Sequence, residues 1–79
     1  MSAPPLIVLR GLQEIALKEL IEYAGNNSHL ARMLKLPVST VNSWVSRGRI
    51  SLEGAELVQG NEYLKQEFPL ERLRPETSF

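Results

Sequence analysis

Residues 27 to 49 read NSHLARMLKLPVSTVNSWVSRGR. Two short apolar repeats flank the sequence Lys35-Leu36-Pro37, and the whole stretch carries neither Asp nor Glu. Leu30, Ala31 and Leu34 give the first repeat one inward face at helical spacing, with Ser28 placed as its N-cap. Pro37 belongs to a turn, after which Val38, Val41, Trp44 and Val45 predict the buried stripe of a second short helix that stops near Gly48. The opposite face of that helix is Ser39, Asn42, Ser43, Ser46 and Arg47.

A helix, a tight turn and a helix cross closely, so a small residue is needed inside the first helix, and Ala31 supplies it. Val41, ten residues later, is the β-branched residue expected where the second helix packs back, and Trp44 closes the same stripe one turn on. This is the spacing of a helix-turn-helix. Short hydrogen-bonding side chains on the exposed face suit a helix lying in a major groove about 12 Å wide. Asn42 is the leading candidate reader, because a side-chain amide pairs bidentately with adenine.

Working outward, Leu12, Ile15, Ala16, Leu20 and Ala24 (or Tyr23) recur at spacings of three and four. They predict a preceding helix with Gln13, Glu14, Lys18, Glu19 and Glu22 opposite and Gly25 as its stop. Residues 1–11, with Pro4, Pro5 and the run Leu6-Ile7-Val8-Leu9, are expected as an N-terminal arm: an edge strand, a docking arm or a disordered tail. Residues 12–79 form the single expected domain. Downstream, Ser51 reads as the N-cap of a further helix with Leu52, Ala55 and Val58 inward and Glu53 near its positive end. Gly54 and Gly60 weaken that helix. The segment NEYLKQEF, residues 61 to 68, adds a turn or two, and Pro69 opens a last helical segment that Pro75 ends. The expected fold class is all-α, a bundle of four to five short helices.

Composition narrows the function classes. Seventy-nine residues, 43% of them hydrophobic, suffice for one small domain whose single core gives modest stability, so a second subunit is expected to help. The chain has no Cys, no Asp and one His. Thiolate chemistry is thereby excluded, and no combination of nucleophile, base and orienting group is evident, so an enzyme is not expected. His29, with no Cys or second His, reads as a surface or phosphate-facing residue rather than a metal ligand; no metal and no cofactor is expected. The run Leu6–Leu9 is far too short to span a bilayer and lacks the basic start of a signal peptide, so no membrane is expected and the location expected is the cytoplasm.

Net charge is zero, but it is segregated. Between Tyr23 and Leu52 the chain carries Arg32, Lys35, Arg47 and Arg49 without an acid, a local charge of +4, and the remainder holds five bases against nine Glu. A basic face on an otherwise acidic chain is the electrostatic footprint of docking on phosphates, although a solvated face produces the same pattern.

With these residues in view, positions 12 to 76 resemble the small Cro-like and YdaS-like helix-turn-helix proteins of phages and prophages, whose general form is LARxLGVSxxTVSxWVxRGRVP…LRPD. The matching pieces here are HLARMLKLPVSTVNSWVSRGRI and LERLRPE. The resemblance implies a lambda-repressor-like DNA-binding fold and a transcriptional repressor, usually a homodimer on a roughly palindromic double-stranded DNA operator, in a bacterial cell. It places base contacts at Val38, Ser39, Asn42, Ser43 and Ser46, and backbone contacts at Asn27, Ser28, His29, Lys35, Thr40, Arg47 and Arg49. Three departures stand out. Lys35 occupies the position of the usual Gly and must meet a left-handed backbone there. Pro37 replaces a capping Ser, and residues 60–68 are longer than the family form. Read without the resemblance, the serines are equally polar surface, and Arg47 and Arg49 equally solvate the turn at Gly48. A protein-binding module on the same fold, an antitoxin engaging a toxin or an antirepressor engaging another regulator, is the alternative function.

Overall fold

The computed structural model describes residues 6–75. All regular structure among them is helical: α1 (Leu6–Ala24), α2 (Asn27–Leu34), α3 (Val38–Arg47), α4 (Leu52–Gln59), and the single turns α5 (Glu62–Lys65) and α6 (Leu70–Leu73). The expected all-α bundle is present, with six helical segments in place of four to five because residues 61–73 form two separate turns. None of these helices is long and apolar enough to cross a membrane.

The first helix begins at Leu6, six residues before its expected start. Residues 6–11 therefore continue α1 and do not form an arm; residues 1–5 lie outside the described residues. The buried face of α1 is also not the expected one. Leu9, Gln13, Ala16, Leu17, Leu20 and Ala24 are buried, whereas Leu12 and Ile15 join Ile7 and Val8 as exposed apolar residues, Ile7 at 80%. The spacing 9, 13, 16, 20, 24 is as helical as 12, 15, 16, 20, 24 and shares its last three positions, so the helix turns Leu9 and Gln13 to the core and leaves Leu12 and Ile15 outside.

The start of α2 departs from expectation by two residues. Asn26, not Ser28, is the N-cap, its Oδ1 accepting from the His29 backbone N–H at 2.8 Å. A cap at Ser28 would make His29 the first helical residue, whose N–H lies out of reach of the capping side chain. At the other end Lys35 is left-handed, φ +59°, and its N–H and that of Leu36 close onto Arg32 and Ala31 carbonyls. Pro37 then stands as the N-cap of α3 without a side-chain bond, and Gly48, φ +78°, terminates α3 on the carbonyls of Trp44 and Val45. Val41 and Trp44 are buried as expected, but Val38 and Val45 are exposed. The short α3 touches the core only along one line.

Ser51 does cap α4, its Oγ accepting from Gly54 N–H at 3.0 Å. Ala55 and Val58 are buried as expected, and Leu52 is exposed. Gly54 has a packing reason: a Cβ there would overlap Trp44 Cζ2, lie 2.7 Å from Cη2 and 3.0 Å from Ile50 Cγ1. The indole lies directly on the α4 backbone, which fixes α3 against α4.

Leu64, Phe68 and Leu73 bring the last segments into the same core as Leu20, Leu30, Val41, Ile50 and Val58. Burying a side chain of this size contributes about 1.5–3 kcal/mol. Polar ties seal the closure. Gln59 Nε2 donates to the Phe68 carbonyl at 2.8 Å, and Arg74 Nη1 donates to the Ile50 carbonyl at 2.8 Å. The Arg72 guanidinium lies 4.3 Å from the Phe68 ring centre and pairs with Glu19 of α1. Arg74 of the expected ending thus holds the exit of α3 in place, and Pro75 is buried beside Leu12, Ile15 and Ala16 of α1; Glu76 lies outside the described residues.

Candidate nucleic-acid interface

The exposed side of α3 follows from which of its residues the core takes. With Val41 and Trp44 inward, Ser39, Asn42 and Ser46 fall on one line at spacings of three and four on the outward side, and all three are exposed. Ser43 lies beside them and is exposed. Val38 and Val45, one above the other two turns apart, border the same face on its other edge, at 42% and 47% exposure. The sequence reading placed Val45 inside. Outside, it adds a second apolar side chain to a polar strip, and apolar contact is how a thymine methyl is recognised.

Asn42 is held. Asn27 Nδ2 donates to Asn42 Oδ1 at 3.0 Å, linking the first residue of α2 to the middle of α3. Asn27 thereby stands as a positioning partner for Asn42, in addition to its expected place at the end of α2. Ser28 and His29 are exposed in the first turn of α2, where the helix dipole favours an anion, although the His29 N–H is already taken by the Asn26 cap.

The other expected backbone residues divide. Arg47 and Arg49 are exposed on either side of Gly48, and Lys35 is exposed in the turn between α2 and α3. Thr40 is half-buried and lines a separate cleft of about 240 Å³ with Leu36, Trp44 and Glu53. It faces α4 and an acidic side chain, away from Ser39, Asn42 and Ser46.

One residue absent from the sequence reading joins the group. Arg10 of α1 lines a cleft of about 400 Å³ with Gln13, Glu14, Arg47, Gly48 and Arg49. In sequence Arg10 belongs to the acidic remainder, and nothing in local spacing brings it beside residues 47–49. The packing of α1 on α3 does so. Among the described residues, none of Arg10, Arg47 and Arg49 takes part in an ion pair. No group of three or more His, Asp or Glu side chains able to hold a metal ion occurs among the described residues. Comparison of the chain with protein-family models, with curated proteins and with solved structures gives no match.

Proposed function

We propose that this protein is a sequence-specific double-stranded DNA-binding regulator of the Cro type, in which α2 and α3 act as a helix-turn-helix and α3 enters the major groove. The observation that carries the reading is the outward face of α3. Ser39, Asn42, Ser43 and Ser46 stand exposed there, Asn42 is oriented by Asn27, and Arg47 and Arg49 follow directly. Small polar side chains admit close approach to base edges, and guanidiniums at the end of the helix favour adjacent phosphates. A monomer of this size offers few phosphate contacts, so the working form is a homodimer reading two half-sites about 34 Å apart.

Selection of bound sites from a random duplex pool, followed by footprinting, tests the proposal. The expected result is two related half-sites protected on one face of the duplex. A single asymmetric footprint removes the dimer, and absence of any selected duplex removes the DNA-binding reading.

A second reading, docking of a toxin or another regulator, draws on the exposed stripe of Ile7, Val8, Leu12 and Ile15 on α1. Val8, Leu12 and Ile15 align at spacings of four and three with Ile7 beside them, and an exposed apolar patch marks a surface that partners cover. Co-purification of a partner protein, together with failure to select duplex, would favour it.

A further inference from the structure

We infer that the cleft between α1 and the turn following α3, rimmed by Arg10, Arg47 and Arg49, is a phosphate subsite that seats a backbone phosphodiester flanking the base pairs read by α3. This rests on the proposed DNA-binding function and adds to it α1 as a third contacting element.

Three Arg residues line one cleft, Arg10 from α1 and Arg47 and Arg49 from the end of α3, 37 or more positions further along the chain. Their mutual repulsion is offset within the cleft by a single carboxylate, Glu14, whose Oε1 is already engaged by Lys18 Nζ at 3.2 Å. The cleft therefore keeps an excess of positive charge. Arg presents a planar fork of donors that matches phosphate oxygens, and an open rim lets water leave as an anion enters. Gly48 lines the same cleft with a left-handed backbone, φ +78°, that glycine adopts without strain; a Cβ there would make an ordinary contact with Glu14 Oε2 at 3.5 Å.

The lining also selects the kind of phosphate. No aromatic or aliphatic side chain contributes to the wall, so a nucleobase has nothing to stack on and a free nucleotide would gain little beyond its phosphate. Arg47, which borders the cleft, is also the last residue of α3. A phosphodiester next to the reading face reaches the cleft without leaving the duplex.

The test is a salt series of duplex affinities on the selected site for the parent protein, Arg10→Gln, Arg10→Lys, Glu14→Gln and, as a control of equal charge change elsewhere, Lys65→Gln. Arg10 is exposed, and thermal melts of each variant accompany the binding curves. Arg10→Gln is expected to bind roughly fivefold more weakly at 0.15 M salt and to flatten the salt slope by about 0.9, the value of one lost phosphate contact. Base preferences stay unchanged, and Arg10→Lys keeps the slope. Glu14→Gln is expected to bind more tightly, and Lys65→Gln to leave the slope alone.

If Arg10→Gln shows the slope and affinity of Lys65→Gln while Asn42→Ala still relaxes base preference, the cleft is not a phosphate subsite and the DNA-binding function stands. If the parent protein binds no duplex, both fall. A titration with inorganic phosphate that shifts the Gly48 amide resonance, without any duplex binding, would overturn the phosphodiester and assign the cleft to a small free anion.

Discussion

Asn27 Nδ2 lies 3.0 Å from Asn42 Oδ1, so the side chain that starts α2 fixes the amide plane in the middle of α3. Adenine presents an acceptor at N7 and a donor at N6, which an Asn amide meets with its NH2 and its oxygen together. With one lone pair of Oδ1 directed at Asn27, the second lone pair and the NH2 remain for the base. Replacing Asn42 by Ala is expected to cost about 1–3 kcal/mol at one base pair and to relax preference there. Asn27→Ala is expected to relax preference at the same base pair by a smaller amount. In a double-mutant cycle on duplexes altered at that position, the two effects should be non-additive. Full additivity would mean that the hydrogen bond does not orient the reader.

Gly54→Ala sets two effects of opposite sign against each other. Alanine improves helix propensity in α4 by about 1 kcal/mol. Its Cβ, however, would overlap the Trp44 indole, which has Ile50 and the core behind it. Overpacking of this kind costs about 1–3 kcal/mol and displaces the ring. A lower melting temperature and an altered Trp44 fluorescence are expected, and a higher melting temperature would show that the ring yields without cost.

Ala31 and Ser39 should separate packing from surface. Ala31 is buried where α2 meets α3, so Ala31→Leu is expected to destabilise by roughly 1–3 kcal/mol and to weaken DNA binding in parallel. Ser39 is exposed and does not cap α3, whose N-cap is Pro37. Ser39→Ala should leave the melting temperature nearly unchanged while altering base preference. Thermal melts paired with binding curves check both.

Lys35 holds a left-handed backbone at φ +59° that costs a side-chain-bearing residue about 1–2 kcal/mol. Lys35→Gly relieves most of that strain but gives the unfolded chain more freedom, so a net gain of about 1 kcal/mol is expected. For a domain of this size that is roughly 4–8 °C in melting temperature. If Lys35 also contacts a phosphate, the same variant should flatten the salt slope by about 0.9. Stability would then rise as affinity falls.

Arg74→Ala removes the donor to the Ile50 carbonyl, a part-buried group at the exit of α3. A hydrogen bond from a charged donor contributes about 1.5–3 kcal/mol, and that loss is expected in a denaturant titration.

The α2–α3 region was legible because its helices are short and each has one apolar line. Leu30, Ala31, Leu34, Val41 and Trp44 are the apolar residues that recur nearest the middle of each helix at helical spacing, and all five are buried, whereas Val38 and Val45 at the margins of α3 are exposed. On α1, periodicity allowed two answers, and it put Gln13 on the water side although that residue is only 4% exposed. The choice is made by α2 and α6 packing on one stripe, information that the segment itself does not contain. Val45 and Leu52 were expected inside for the same reason: each lies at a correct spacing, but a helix of eight to ten residues against a small core buries only one line. Gly54 looked like a weakness in α4 until Trp44 lay on it, and Arg10 looked remote from residues 47–49 until α1 and α3 were packed. Both are tertiary facts with no local signature.

The tie between Arg72 and Glu19 spans 53 positions, whereas that between Asn27 and Asn42 spans 15. Loop-closure entropy must be met before distant contacts return anything, so the two halves of the molecule differ in when they are able to form. The α2–α3 unit closes on short-range contacts, whereas α1, which α2 and α3 already meet, gains the rest of its cover only after α6 has been synthesised. Between those moments a nascent chain shows part of the buried face of α1 to its surroundings in addition to the stripe that stays exposed in the native state. That interval is when chaperone capture or aggregation would compete with folding, and substitutions that loosen α6 would lengthen it without touching a single residue of the outward face of α3.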